Sequence, residues 1–126
     1  MTKAEIIEET ANYYNLTNRG FDPHKKVCEY LDNKGRSCAV GRCLTGQALH
    51  VAKNYEGGVD GLADYLKCKL GITFDEVFKE QYKGHELKFW DSLQLFHDTR
   101  HNFKETGLST IGQKEKQQLL NKWSDS

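Results

Sequence analysis

Apolar residues recur at helical spacing over most of this chain, and polar residues fill the positions between them. Thr2 followed by Glu5 is a capping box, and Ile6, Ile7, Tyr13 and Tyr14 then form a stripe opposite Glu8, Glu9 and Asn12. That pattern predicts a first helix over about residues 3–14. A second helix is expected over 44–54 through Leu44, Ala48, Leu49 and Val51. A third, over 60–70, carries Leu62, Tyr65, Leu66 and Leu70 and is stopped by Gly71. Thr73 with Glu76 repeats the capping box and opens a helix through Phe74, Val77 and Phe78, interrupted at Gly84. The longest pattern runs from His85 to Phe103, with Leu87, Trp90, Leu93, Gln94, His97 and His101 on one face. Ser109 or Thr110 caps a last helix bearing Leu119, Leu120 and Trp123.

Only one region reads differently. Residues 15–26 carry the turn chemistry of Asn18-Arg19-Gly20 and Asp22-Pro23. After them, Val27–Leu31 and Arg36–Val40 are short alternating runs around Asp32-Asn33-Lys34-Gly35, the pattern of a β-hairpin with a glycine bulge. In that register Tyr30 faces Cys38 and Cys28 faces Val40. The expected architecture is a mostly helical α+β domain, about six helices packed around one hairpin, forming a single domain over 1–126.

Composition narrows the function classes. Eighteen basic residues balance eighteen acidic ones, which argues against a nucleic-acid partner. No apolar run approaches the roughly 18–20 residues that cross a bilayer, so no membrane partner is expected. The start, Met1-Thr2-Lys3-Ala4-Glu5, lacks the apolar run of a secretory signal, so the expected location is cytoplasmic and the four cysteines are expected as reduced thiols.

Cys28, Cys38, Cys43 and Cys68 contain no CxxC pair, unlike zinc fingers and ribbons. A zinc site from Cys28, Cys38, Cys43 and His97 is one reading; small buried hydrophobes under the hairpin is the favoured one. His97 and His101 stand one helical turn apart without the glutamate of an HExxH site. The favoured reading of His97 is a buried histidine bonded by Gln94, Asp98 or the hairpin backbone. The sharper reading is thiol chemistry. Cys38 or Cys43 would be the nucleophile, His97 the base and Asp98, Asp91 or Gln94 the orienter. Cys38 is then placed mid-strand, and Cys43 better, just ahead of a helix start. No cofactor is implied, and the chain leans away from being an enzyme.

Residues 18–43 hold six basic side chains against three acidic ones. Arg19, Lys25, Lys26, Arg36 and Arg42 are accordingly candidates to meet a small anionic ligand or an acidic partner surface, with Gly41-Arg42 at a helix N-terminus. GxxxxGKS and GxGxxG loops are both missing from the sequence.

Four pieces recur in order: Cys28-Glu29-Tyr30, Gly35-Arg36-Ser37-Cys38-Ala39-Val40-Gly41, Glu56-Gly57, and Leu93-Gln94-Leu95-Phe96-His97-Asp98. As a set they resemble a group of small uncharacterised phage and prophage proteins. These share a C-x-Y…G-x-x-C-A-x-G hairpin, an E-G turn and an L-Q-x-x-H-D helix; Cys43 and Cys68 lie outside the pattern. The resemblance spans roughly residues 28–98. It implies a shared α+β fold and a viral or mobile-element origin, but no mechanism. The expected function is that of a phage-type accessory protein, non-enzymatic, in the cytoplasm of an infected cell. It would bind a host protein or a small anionic ligand, for instance to blunt a host defence. The alternatives are a Cys/His thiol hydrolase or transferase and a zinc-stabilised interaction module. In the expected packing the L-Q-x-x-H-D helix lies on the hairpin, and the loops at 15–26, 54–60 and 79–86 carry function.

Overall fold

The computed structural model describes residues 1–19, 21–22 and 27–123, with 21, 22, 27 and 28 described by their backbone only. Its helices are α1 (Lys3–Tyr13), α2 (Ala39–Cys43), α3 (Gly46–Ala52), α4 (Val59–Leu70), α5 (Leu87–Asp98) and α6 (Thr110–Trp123). Two antiparallel ribbons accompany them: β1 (Phe21–Asp22) with β2 (Val27–Cys28), and β3 (Phe103–Lys104) with β4 (Gly107–Leu108). The mostly helical α+β class is therefore as expected. None of the described helices is long and apolar enough to cross a membrane.

The core forms around α5, whose inner face of Phe89, Trp90, Leu93 and Phe96 is buried. It packs on α2, α4 and α6, while α1 packs along α6. Trp90 is fully buried and stacks on Phe78 with ring centroids 4.2 Å apart. Local signals hold where they are self-contained. Thr2 and Glu5 form both bonds of the first capping box, and Gly71 ends α4 in the left-handed conformation at φ 69°. Ser109 caps α6 by accepting from the Gly112 amide at 3.0 Å.

Five expectations are corrected. The Asp32–Gly35 turn forms, with Asp32 N–H donating to Arg36 O at 2.9 Å and Leu31 bridging Ser37. The Arg36–Val40 strand does not continue beyond that bridge. From Ala39 the chain is helical, and Cys38 caps α2 by accepting from the Gly41 amide on Sγ at 3.4 Å. The Val40 amide, which a strand would have paired with its neighbour, instead donates to the Gln94 side chain at 3.0 Å. Meanwhile β2 pairs with β1, inside the segment expected to be a loop, in the register Phe21↔Cys28 and Asp22↔Val27.

Only half of the second capping box forms: Thr73 N–H and Oγ1 both donate to Glu76, while the Glu76 amide donates to the Thr73 carbonyl and not to its hydroxyl. Only a 3-10 turn over Asp75–Val77 follows it. Tertiary pairing stops the helix. Thr45 N–H donates to Val77 O at 2.9 Å and Lys79 N–H to Cys43 O at 2.9 Å, which pulls residues 78–79 into extended backbone beside Leu44. For the same reason the helix expected at Leu44 begins only at Gly46, capped by Thr45.

Finally, the helix expected to reach Phe103 ends at Asp98. Buried Arg19 donates to the carbonyls of His97 (3.2 Å) and Asp98 (3.0 Å), capping its C-terminus. His101 falls in the next 3-10 turn, Arg100–Asn102, so His97 and His101 do not share a helix face.

Candidate functional site

Four of the segments singled out in the sequence lie close together in the fold. A cleft of about 170 Å³ is lined by Tyr30 from the first piece, Gly57 from the third, and Gln94, Leu95 and Asp98 from the fourth. The second piece lies beneath it. A Cβ on Gly41 would stand 2.3 Å from the Tyr30 carbonyl oxygen, so only glycine lets α2 approach the chain that carries Tyr30. Tyr30 in turn donates its hydroxyl to Gly57 O at 3.0 Å, tying the 54–58 turn to the cleft wall.

Asp98 is held from two sides. Its Oδ1 accepts from Gln94 Nε2 at 2.8 Å and pairs with His97 Nδ1 at 2.9 Å. Gln94 has its Oε1 on the Val40 amide and its Nε2 on Asp98, so one buried side chain couples the start of α2 to the end of α5. His97 is fully buried against Tyr14, edge to face at 4.5 Å, and its Nε2 has no hydrogen-bond partner among the described residues. Burial holds its pKa below the usual histidine value, against the opposing pull of Asp98. Burial therefore favours the neutral imidazole, with Nδ1 on Asp98.

The outer face of α5 presents Asp91, Leu95 and Asp98, spaced by four and three residues, on the side opposite Trp90 and Leu93. Leu95 is 68% exposed, the most exposed of the large apolar side chains described. The cleft thus offers two carboxylates around an uncovered leucine. It is suited to a cationic, partly apolar partner and not to an anion.

The candidate thiols are sealed. Cys38 and Cys43 are each 0% exposed, and burial pushes the Cys43 thiol up to about 12. Cys38 is at a helix N-terminus, contrary to the mid-strand position expected for it, but its sulfur is already engaged as the cap. Cys43, expected just ahead of a helix, is the last residue of α2. No hydrogen bond joins His97 to either sulfur among the described residues. The Cys28 side chain lies outside the described residues, and Cys68 is exposed on α4. Among the described residues no group of three or more His, Cys, Asp or Glu side chains is placed to hold a metal ion.

Among the described residues the basic candidates do not form a common surface. Arg19 is 2% exposed and spent on α5. Arg36 pairs with Asp32 at 2.5 Å and donates to Thr17 O. Arg42 pairs with Glu9 at 2.7 Å, lies over the Tyr13 ring at 5.1 Å and donates to the Tyr82 hydroxyl, which itself donates to Glu9. Gly41-Arg42 sits inside α2, whose first amides are taken by Cys38 and Gln94. Lys25 and Lys26 lie outside the described residues. Sequence reasoning missed the cleft because its signal was the complement of the one used to find the helix. The 91/95/98 face carries an isolated leucine among acids, which reads as ordinary solvated surface.

Comparison with protein-family models, with curated proteins and with solved structures found no match.

Proposed function

We propose that this chain is a phage-type accessory protein that works by binding a host protein in the cytoplasm of an infected cell, and not by catalysis. The observation carrying this reading is the convergence of Tyr30, Gly57, Gln94 and Asp98 on one cleft beside the exposed Leu95, while the cysteines and histidine suited to chemistry are sealed in the core. Charge complementarity favours a partner segment that brings a lysine or arginine to Asp91 and Asp98 and an apolar side chain to Leu95. Leu95→Glu, on a solvated helix face, is expected to leave the melting temperature unchanged and to abolish capture of the partner from a bacterial lysate. A binding partner retained equally by wild type and Leu95→Glu would overturn this placement.

One observation favours the thiol-enzyme reading: Cys38 caps α2 with the Gly41 amide on its sulfur, an arrangement that stabilises a thiolate. Iodoacetamide labelling mapped by peptide mass separates the two. In the folded protein near neutral pH, Cys38 and Cys43 are expected to react more than about a hundredfold slower than exposed Cys68, because they are reached only through unfolding. Cys38 labelling faster than Cys68 would establish an activated nucleophile instead.

A further inference from the structure

A second cleft, on a different part of the molecule, has the opposite chemistry. It encloses about 360 Å³ where α1, the β3–β4 ribbon and α6 meet, and its polar side chains come from Asn12, Lys104, Thr106, Gln113 and Lys116. Among the described residues no acidic side chain lines it. Lys116 makes one ion pair, with Glu8 at 3.2 Å, while Lys104 is exposed on the rim and has no ion pair among the described residues. The cleft therefore keeps an uncompensated positive charge, and amide and hydroxyl groups surround it.

Its walls are fixed to one another by backbone bonds. Leu16 N–H donates to Lys104 O at 3.1 Å, joining the segment after α1 to the ribbon, and Ser109 N–H donates to Asn102 O at 2.9 Å, joining the start of α6 to the turn before β3. Gly112 presses so closely on that turn that a Cβ there would meet Asn102 O at 1.9 Å. The backbone of the walls is therefore held in place before a ligand arrives. The volume lies within the range of small-molecule sites.

We infer that this cleft is a binding site for a small phosphate-bearing molecule, with Lys104 and Lys116 taking the charge and Asn12, Thr106 and Gln113 the remaining phosphate oxygens. The inference is independent of the partner cleft on α5. It also gives an anionic ligand a different address from the arginines of residues 18–43, which are consumed inside the fold.

The test is a titration of isotope-labelled protein with inorganic phosphate at constant ionic strength, following the backbone amides of Asn12, Thr106, Gly107 and Gln113 by NMR. These are expected to shift saturably, with half-saturation on the order of millimolar for so small a probe. Lys104→Ala removes an exposed side chain, keeps the melting temperature, and is expected to weaken binding about tenfold. Lys67→Ala, on α4, is expected to change nothing. Shifts that rise linearly without saturating, or saturate equally in Lys104→Ala, would overturn the site. Equal weakening in Lys67→Ala would do the same, by showing a general response to surface charge.

Discussion

Gly112→Ala is expected to cost about 3 kcal/mol or more and to lower the melting temperature by about 10 °C, although alanine is the better helix former. The reason lies outside the helix. The added Cβ would sit 1.9 Å from Asn102 O and 2.8 Å from its carbonyl carbon, distances no methyl group can hold against backbone. Either α6 lifts off the Arg100–Asn102 turn or that turn shifts, and both break the bond from Ser109 N–H to the same carbonyl. Gly41→Ala should behave alike, since its Cβ would meet Tyr30 O at 2.3 Å and force α2 away from the cleft. Gly46, the first residue of α3, has nothing within 4 Å of its Cβ position, so Gly46→Ala is the matched control. It is expected to be neutral or to stabilise by up to about 1 kcal/mol. Thermal unfolding of the three variants checks this, and an unperturbed Gly112→Ala would mean that α6 docks differently from the structure described.

Lowering the pH from 7.5 to 5.5 should destabilise the protein well before its carboxylates protonate. His97 is buried and neutral, and its pKa in the fold lies below the ordinary value because burial penalises the imidazolium. In the unfolded chain it titrates near its ordinary value of about 6.5. Below that value the unfolded state binds a proton that the folded state does not, so stability is present above about pH 6.5 and is lost as pH falls toward the folded pKa. The limiting slope is about 1.4 kcal/mol per pH unit.

The structural cause is specific: a charged ring would carry an Nε2 proton into a pocket where no acceptor meets it. His85 shifts in the same direction, chiefly by burial, but it is only half-buried and adds less. Glu9 opposes burial with hydrogen bonds from Tyr82 and Arg42, and its net shift is downward, so its contribution is lost only at more acid pH. Urea unfolding at pH 7.5, 6.5 and 5.5 measures the slope, and His97→Gln should flatten it. Equal stability across that window in the wild type would show that the imidazole is protonated or solvated in the fold.

The Leu93–Asp98 segment was legible in part. Its apolar spacing identifies a buried helix, and of the partners expected for His97 (Gln94, Asp98 or the hairpin backbone) Asp98 bonds its Nδ1, while Gln94 bonds Asp98. The spacing could not show that Gln94 also reaches the Val40 amide, 54 residues away, because that contact depends on where α2 lies. Helix ends that depend on distant groups were missed for the same reason: Arg19 closes α5 from a segment about eighty residues upstream.

The first capping box, the glycine stop of α4 and the helical stripes act between residues three or four apart, so the sequence by itself determines them, along with the mostly helical class. The fate of Ser37–Gly41 and of Thr73–Phe78 is different in kind. Each has local preferences compatible with more than one backbone, and the difference is settled by which distant donor or acceptor meets its peptide groups. Gln94 meets the Val40 amide, and Thr45 meets the Val77 carbonyl. Only the tertiary structure decided that Cys38 caps a helix, that Arg19, Arg36 and Arg42 pair within the fold, and that two clefts of opposite charge lie at the surface. Burial and long-range hydrogen bonding select among conformations that short-range pattern leaves nearly equal in energy.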